Sequence, residues 1–229
     1  MATRPVFLPG SGDQLVREAA ISFDWFPGFS VSQKQRSIAS LHESARRELG
    51  VGRILEVSTK SPDLVGTRLS AFNLTLKSEV GSTSIEAAFQ GSKVFARSGQ
   101  HPELYHLSSG REVKRALAEF AGEPLVAFRF DDEEWPLSPK TAFYDWLYLT
   151  ALCQEANVAL CEELGAYDAF TDIEFNPEKS VNCQARACAL YLALRQRALL
   201  RDGLASPSSF REILRYHAYQ VESQQDPLF

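Results

Sequence analysis

One segment constrains the fold more than any other part of this 229-residue chain. Ser138-Pro139 is a strong helix start, because Ser caps free amides and Pro fits the first helical turn. Apolar side chains then cover most faces of the predicted helix: Phe143, Tyr144, Trp146, Leu147, Leu149 and Leu152. A helix without a polar face must be surrounded by other elements. This segment therefore predicts a central helix.

Shorter elements are predicted on both sides of it. Apolar runs predict strands at residues 53–58, 68–76 and 125–130. Periodicity and capping residues predict helices at 32–49, 108–120, 157–164 and 207–220, and one from Ser180 or Asn182 to Leu200. This order predicts an α+β fold, a single helix-rich domain over residues 1–229 with a few short strands. An aromatic, Pro- and Gly-containing segment at 1–30 is expected to be extended, and a C-terminal helix is expected at 205–222.

Composition excludes several classes of protein. A net charge of −5 provides no bulk basic field, so any nucleic-acid contact must be local and specific to a modified site. There is neither an apolar run of membrane-spanning length nor a signal-peptide pattern, which predicts a cytoplasmic protein. The histidines are dispersed, so we expect no metal and no cofactor. Buried free thiols are expected for Cys153, Cys161, Cys183 and Cys188.

Residues 81–95 group functional side chains on one predicted helix. Glu86, Gln90 and Lys93 are spaced i, i+4 and i+7, so at about 100° per residue they share a face. A carboxylate, an amide and an ammonium beside an apolar face are suited to the wall of a cleft. Thr83, three residues before Glu86, also forms a capping box, in which Glu86 only satisfies a free amide. The spacing leaves both interpretations open.

Two acidic or aromatic features have a functional and a structural interpretation. Trp135 lies in an acidic loop after a strand, where a Trp is either a lid on the core or a stacking platform for a base. Asp172 and Glu174 alternate along an apparent strand and would point to the same side. They form either a solvent-facing edge or a pair of carboxylates used in chemistry.

Two helix starts could bind phosphate. Pro139-Lys140 opens the central helix, whose free amides form a potential phosphate site. Asn182 begins the long helix, where it can act as an N-cap unaided. Arg186, one turn later, could bind a phosphate bidentately or face outward as an ordinary helix charge.

Several motifs occur in a fixed order: Leu69-Ser70-Ala71-Phe72-Asn73, Ser84-Ile85-Glu86-Ala87-Ala88-Phe89-Gln90-Gly91-Ser92-Lys93, and then residues 167–177 and 179–186. The first two resemble the hallmark of the NADAR family, a Leu-Ser-Asn-Phe-like strand followed by a Val-Glu-x-x-Phe-Gln-x-x-Lys helix. The later stretches are similar to the NADAR branch encoded beside DarT-type DNA ADP-ribosyltransferase toxins. Ala71 stands where the family usually has Asn, and Ile173-Glu174 where it usually has Trp-Gly.

The resemblance implies an ADP-ribosylglycohydrolase that removes ADP-ribose from guanine bases of DNA, acting as antitoxin to a DarT-type toxin. The expected catalytic residues are Glu86, Lys93 and Asp172. The expected ligand-binding residues are Ser70, Phe72, Asn73, Gln90, Trp135, Lys140, Asn182 and Arg186. Neither a metal nor a membrane is implied.

The chemistry of an N-glycosidic bond suits these residue types. Its cleavage builds oxocarbenium character on the ribose, which a carboxylate such as Glu86 stabilises while activating water. Lys93 either stabilises negative charge or attacks the ring-opened sugar as a Schiff-base amine. The alternatives are a non-catalytic antitoxin that binds ADP-ribose or the toxin, and a NADAR N-glycosidase acting on a small molecule.

Overall fold

A computed structural model describes residues 1–78, 81–107, 110–120, 122–178 and 180–225. The strands are β1 (Ala2–Pro9), β2 (Val16–Phe23), β3 (Ile54–Glu56), β4 (Thr75–Ser78), β5 (Gly81–Ser84), β6 (Lys93–Phe95), β7 (Gly99–Gln100), β8 (Leu125–Phe130), β9 (Glu133–Trp135) and β10 (Ala169–Thr171). The helices are α1 (Val31–Leu49), α2 (Leu64–Arg68), α3 (Ile85–Gly91), α4 (Gly110–Ala118), α5 (Ala142–Leu152), α6 (Val158–Leu164), α7 (Gln184–Gln196), α8 (Leu200–Leu204) and α9 (Pro207–Gln225). Short 3-10 helices occur at Pro102–His106 and Glu155–Asn157. The mixture confirms the predicted α+β class.

The first sheet has the strand order β2-β1-β10-β3 and separates two layers of helix. β10 runs antiparallel to β1 and parallel to β3. Alternate side chains of a strand point to opposite faces. Val6 and Leu8 accordingly pack in a cluster with Ile38 and Leu41 of α1, whereas Phe7 packs in the cluster that contains α5 and α7.

The predicted central helix is confirmed, although it begins three residues later than predicted. In α5, Phe143, Leu147 and Tyr148 are buried, and the helix packs against α3, α7 and α9. Its first residue is Ala142, because the Pro139 carbonyl accepts a turn hydrogen bond from the Ala142 amide at 3.1 Å and helical bonding follows from there. Lys140 therefore precedes the helix, and the predicted phosphate site at a helix start on Pro139-Lys140 is wrong.

The remaining sheets flank this core. β4 and β5 form a hairpin, and the third sheet has the antiparallel order β7-β6-β8-β9. The predicted strand at 125–130 coincides with β8, and the predicted helices at 32–49 and 157–164 correspond to α1 and α6. The helix predicted at 108–120 corresponds to α4, and its predicted start at Ser108 lies outside the described residues.

Two predicted elements are wrong, and each has a local cause. Most of the strand predicted at 68–76 is a helix end and a turn, because the amides of Asn73 and Leu74 both donate to the Ser70 carbonyl, at 2.9 and 2.8 Å. Only its last two residues, Thr75 and Leu76, belong to a strand, β4. The helix predicted to reach Leu200 ends at Gln196, and Ala198 has a left-handed φ of 55°, which a continuous helix cannot contain. That helix also begins at Gln184, with Cys183 as the N-cap position, so Asn182 is not its cap.

The four cysteines are free thiols, and Cys161, Cys183 and Cys188 are buried as predicted. Cys153 is exposed, which corrects the prediction that it is buried; it is the residue at the C-terminal cap of α5, where the chain reaches the surface. Within the described part of the chain, no helix combines the length and apolar character needed to cross a membrane.

We predict that Tyr148→Phe destabilises the protein by about 1–3 kcal/mol, because it leaves a buried acceptor without its donor. The Tyr148 hydroxyl donates to the Leu69 carbonyl at 2.6 Å and thereby joins α5 to the end of α2. Urea unfolding measures the loss. Tyr216→Phe, at an exposed position of α9, is the control and should be neutral. Equal stability of the two variants would contradict the prediction.

Candidate functional site

A cleft made of two adjoining cavities lies beside α3. The first, the Glu86 cavity, has a volume of about 380 Å³ and is lined by Glu86, Tyr144, Asp172 and Gln184 among others. The second, the Lys93 cavity, measures about 630 Å³ and is lined by Lys93, Lys140 and apolar side chains of β8 and its neighbours. The two cavities share four lining residues: Phe89, Gln90, Ser180 and Asn182.

A larger hollow of about 1020 Å³ lies at the other end of the first sheet, and it is a weaker candidate. Two of its charged side chains, those of Asp168 and Arg195, are used by the fold. Asp168 accepts from the amides of Gly52 and Arg53 at 3.0 and 2.8 Å, and Arg195 donates to the Cys161 carbonyl at 3.2 Å. None of the predicted site residues lines it among the residues that the structure describes.

Glu86 faces the cleft from the first turn of α3. Ser84 is the N-cap and accepts from the Ala87 amide at 3.2 Å. The capping-box interpretation is therefore wrong, because Thr83 donates its hydroxyl to the Tyr105 carbonyl at 2.7 Å instead. One Glu86 oxygen accepts from the Gln90 side-chain amide at 3.0 Å, the contact that i, i+4 spacing predicts. The Glu86 carboxylate is thus half-buried and oriented by a neighbour rather than used as a cap.

Lys93 lies on strand β6, which corrects its predicted place on the helix with Glu86. Helix α3 ends at Gly91, where a Cβ would come within 2.5 Å of the Tyr105 ring, so only glycine permits this close approach. The Lys93 ammonium nevertheless reaches the cleft and lies 5.3 Å from the centroid of the Phe89 ring. Burial lowers the pKa of Lys93, and the nearby Glu86 carboxylate partly opposes that shift.

Asp172 follows the end of β10 and is not part of a strand. One of its oxygens accepts from the amides of Glu174 and Phe175, at 3.0 and 3.2 Å, which turns the chain. The predicted alternation with Glu174 is therefore wrong: Asp172 is buried, while Glu174 is exposed and pairs with Lys34 at 3.2 Å. Burial, and next the Glu56 carboxyl, raise the pKa of Asp172 well above its ordinary value.

Two site residues were missed at the sequence level. The Gln184 side chain accepts from the Ala71 amide at 2.6 Å and donates to the Val57 carbonyl at 2.6 Å and to Asp172 at 3.0 Å. Tyr144 also lines the cleft, and burial, followed by the charge of Glu86, raises its pKa, so its hydroxyl stays protonated. The signal for Gln184 was a polar side chain at the start of an otherwise apolar helix.

Four predicted ligand-binding residues line the cleft. Phe72 lies at its rim with 48% of its surface exposed, and Lys140 is exposed beside the Lys93 cavity. Gln90 and Asn182 line both cavities, and the side-chain oxygen of each is buried without a hydrogen-bond partner among the described residues. A buried acceptor without a donor is costly, so these two oxygens are suited to bind donors of a ligand.

Three predicted ligand-binding residues are not among the described residues that line the cleft, and the side chains of two of them have partners elsewhere in the fold. Ser70 is fully buried below the rim. The Asn73 side-chain amide donates to the Thr67 carbonyl at 2.8 Å and so closes the turn after α2. Arg186 forms an ion pair with the buried carboxylate of Asp145, which requires a cation. Its predicted phosphate contact stays a prediction.

Trp135 belongs to the core, so the prediction that it stacks on a base is wrong. None of its surface is exposed. Its ring centroid lies 5.6 Å from that of Phe143 and 5.1 Å from that of Trp146, and the Arg211 guanidinium is 5.1 Å from it. The short strand β9 pairs Trp135 with Phe128 of β8, which directs the indole inward.

We predict that Trp135→Ala costs about 3–5 kcal/mol of stability, as expected for a fully buried aromatic side chain. Phe72→Ala, which removes a half-exposed aromatic residue at the cleft rim, should cost about 1 kcal/mol or less. Urea unfolding of both variants tests the contrast. Similar stabilities for the two variants would show that Trp135 does not support the core.

Within the described ranges, no group of three or more His, Cys, Asp and Glu side chains is arranged to bind a metal ion. The model of the family described as DarT1-associated NADAR antitoxin matches residues 2–224, a range that includes the whole cleft. No curated protein matches the chain. Because the family match covers nearly the entire sequence, the chain belongs to the DarT1-associated NADAR antitoxin family.

Proposed function

We propose that this protein hydrolyses the N-glycosidic bond between ADP-ribose and guanine bases of DNA, and that it counteracts a DarT-type toxin in this way. The main support is the arrangement of Glu86 and Lys93, a carboxylate and an ammonium that flank Phe89 in one cleft. Family membership supports the antitoxin role and makes ADP-ribosylated DNA the expected substrate. The proposed location is the cytoplasm, where such DNA is accessible.

Glu86 is the proposed stabiliser of the sugar cation. Breaking the bond between the anomeric carbon and nitrogen leaves positive charge on the ribose, and a carboxylate within the cavity offsets it. The Gln90 amide donates to one Glu86 oxygen. The other oxygen accepts no hydrogen bond from the described residues and can accept a proton from the attacking water.

Lys93 has two proposed roles, and burial is compatible with both. As an ammonium it offsets negative charge on the leaving base or on a phosphate. As an amine it attacks the aldehyde of the ring-opened sugar, a role that needs the pKa lowering produced by its burial. Gln90, Asn182, Phe72 and Lys140 are proposed to contact the ligand because they line the same cleft.

We predict that Glu86→Gln reduces cleavage of guanine-linked ADP-ribose in DNA by about 10²-fold or more while ADP-ribose still binds. The amide keeps the size of the side chain but neither offsets a cation nor accepts a proton. Release of free ADP-ribose measures turnover, and calorimetry measures binding. Glu163→Gln, at an exposed position of α6, is the control. Wild-type turnover in Glu86→Gln would exclude Glu86 from the catalytic machinery, whereas no turnover in the wild type would favour an antitoxin that acts by binding alone.

We predict that Lys93→Arg separates the two proposed roles of this residue, because Arg keeps the charge but cannot form an imine. If the amine attacks the sugar, the variant loses activity, and borohydride traps an adduct on Lys93 of the wild type. If Lys93 acts only by its charge, the variant keeps most of the activity and no adduct forms. Lys77→Arg, at an exposed site on β4, should retain both activity and trapping.

A further inference from the structure

A second buried carboxyl group, that of Glu56, lies behind Asp172. Glu56 ends strand β3 and is 1% exposed. One of its oxygens accepts from the Ser58 hydroxyl at 2.6 Å and from the Ile173 amide at 2.8 Å, and the other accepts from the Thr171 hydroxyl at 2.6 Å. Thr171 and Ile173 are the two chain neighbours of Asp172, so Glu56 holds a side chain on one side of Asp172 and the backbone on the other.

The hydrogen bonds around this carboxyl pair come from neutral groups. The Thr171 hydroxyl gives its proton to Glu56 and therefore accepts from His42, whose Nε2 lies 2.8 Å away. Burial, and next the charge of Arg46, lower the pKa of His42 to about 4, so the ring is neutral near pH 7. Asp172 itself accepts from two backbone amides and the Gln184 amide. Within the described part of the chain, the hydrogen-bond donors to both carboxyl groups thus carry no charge that would offset two anions.

Two carboxyl groups that share a buried site do not both ionise readily, and one of them retains a proton. Burial raises the pKa of Glu56 and that of Asp172. The contacts to Glu56 are shorter, at 2.6 to 2.8 Å, than those to Asp172, at 3.0 to 3.2 Å. Shorter hydrogen bonds stabilise the ionised form more, so the proton resides on Asp172, the member of the pair that lines the cleft.

The other titratable groups around Asp172 do not provide a positive charge that would remove the proton from its carboxyl group. Tyr144 of α5 and Cys183 before α7 have pKa values raised well above their ordinary values by burial, so both are neutral. Burial raises the pKa of Cys188 on α7 to about 12. Among the described residues, the charged groups that line the Glu86 cavity with Asp172 are Glu86 on α3 and Glu174, which pairs with Lys34 of α1 at 3.2 Å.

We propose that Glu56 is a positioning residue that holds Asp172 in the cleft in its protonated form, and that Asp172 is the general acid of the reaction. This inference rests on the proposed hydrolysis. As the bond between the anomeric carbon and the base nitrogen breaks, its electron pair goes to that nitrogen, which takes the Asp172 proton. Water then bonds to the anomeric carbon and gives a proton to Glu86. Glu86 returns that proton to solvent, and Asp172 is reprotonated from solvent.

The pH dependence of cleavage in Glu56→Gln tests this inference. A general acid loses activity as pH rises through its pKa, which produces the alkaline limb of the rate profile. The substitution removes the negative charge next to Asp172 but keeps the size of the side chain, so the pKa of Asp172 falls. We expect the alkaline limb of kcat/KM to move to lower pH, with a rate loss of about tenfold or more at the alkaline end.

Two further variants make the result specific. Glu174→Gln removes a carboxylate charge from the same cavity, but at an exposed position, so its alkaline limb should stay at the wild-type pH. Asp172→Asn should no longer show the limb that Glu56→Gln shifts, with roughly 10²-fold less activity at its optimum. An unchanged limb in Glu56→Gln, or an equal shift in Glu174→Gln, would overturn the role of Glu56.

A measurement that needs no turnover separates this inference from the proposed function. NMR titration of the carboxyl carbon of Asp172, assigned by its loss in Asp172→Asn, should show a protonated side chain at neutral pH in the wild type. An ionised Asp172 there overturns the inference even if Glu56→Gln does not fold. If the wild type cleaves no ADP-ribosylated DNA while Asp172 is protonated, the proposed function fails and the Glu56–Asp172 pair is upheld.

The pH dependence of the free energy of unfolding is a second test of the Glu56–Asp172 pair that needs no turnover. A carboxyl group whose pKa is raised by folding binds more protons in the native state than in the unfolded state. Stability therefore falls as pH rises from the ordinary Asp value of 3.8 through the raised value in the folded protein. Glu56→Gln should flatten this decline, whereas Glu174→Gln should leave it unchanged. An equal decline in wild type and Glu56→Gln would contradict the pairing.

Discussion

The side-chain amide of Gln184 connects the parts of the chain that form the cleft. It binds the Ala71 amide, the Val57 carbonyl and the Asp172 carboxyl group, which belong to three separate segments. Burying a side-chain amide without hydrogen-bond partners costs free energy of folding. The three segments must therefore pack around Gln184 in the one arrangement that satisfies its amide. The turn after α2, the end of β3 and the turn after β10 are thereby placed around one cavity.

The same network explains two departures from the usual family pattern. Ala71 stands where NADAR proteins usually have Asn, yet the position contributes through its backbone: its amide donates to Gln184 and its carbonyl accepts from the Glu86 amide at 2.9 Å. Ile173 stands where Trp is usual, and its side chain is buried in the cluster that contains α1 while its amide donates to Glu56. At both positions the backbone supplies the polar contact.

Electrostatics divide the cleft into two unlike halves. The Glu86 cavity contains Glu86, Asp172 and Glu174, whereas Lys93 and Lys140 line the Lys93 cavity together with Glu178. A developing sugar cation is favoured in the first half and an anionic group in the second. Phe89 and Gln90 line both halves, so helix α3 forms the boundary between them. A substrate such as ADP-ribose, which combines a ribose with phosphates, matches this division of charge.

The sequence by itself determined the features that depend on neighbours within a few residues. Apolar side chains on most of its faces identified α5 as central, and i, i+4 spacing identified the contact between Glu86 and Gln90. Only the tertiary structure decided the positions of three predicted site residues. The Trp135 indole is buried, Lys93 lies on a strand after Gly91, and Arg186 forms an ion pair with Asp145. Each of these positions depends on contacts with distant segments. The contacts of Gln184 join residues separated by 113 and 127 positions. Such pairings follow from how the layers pack, which no local pattern of residues specifies.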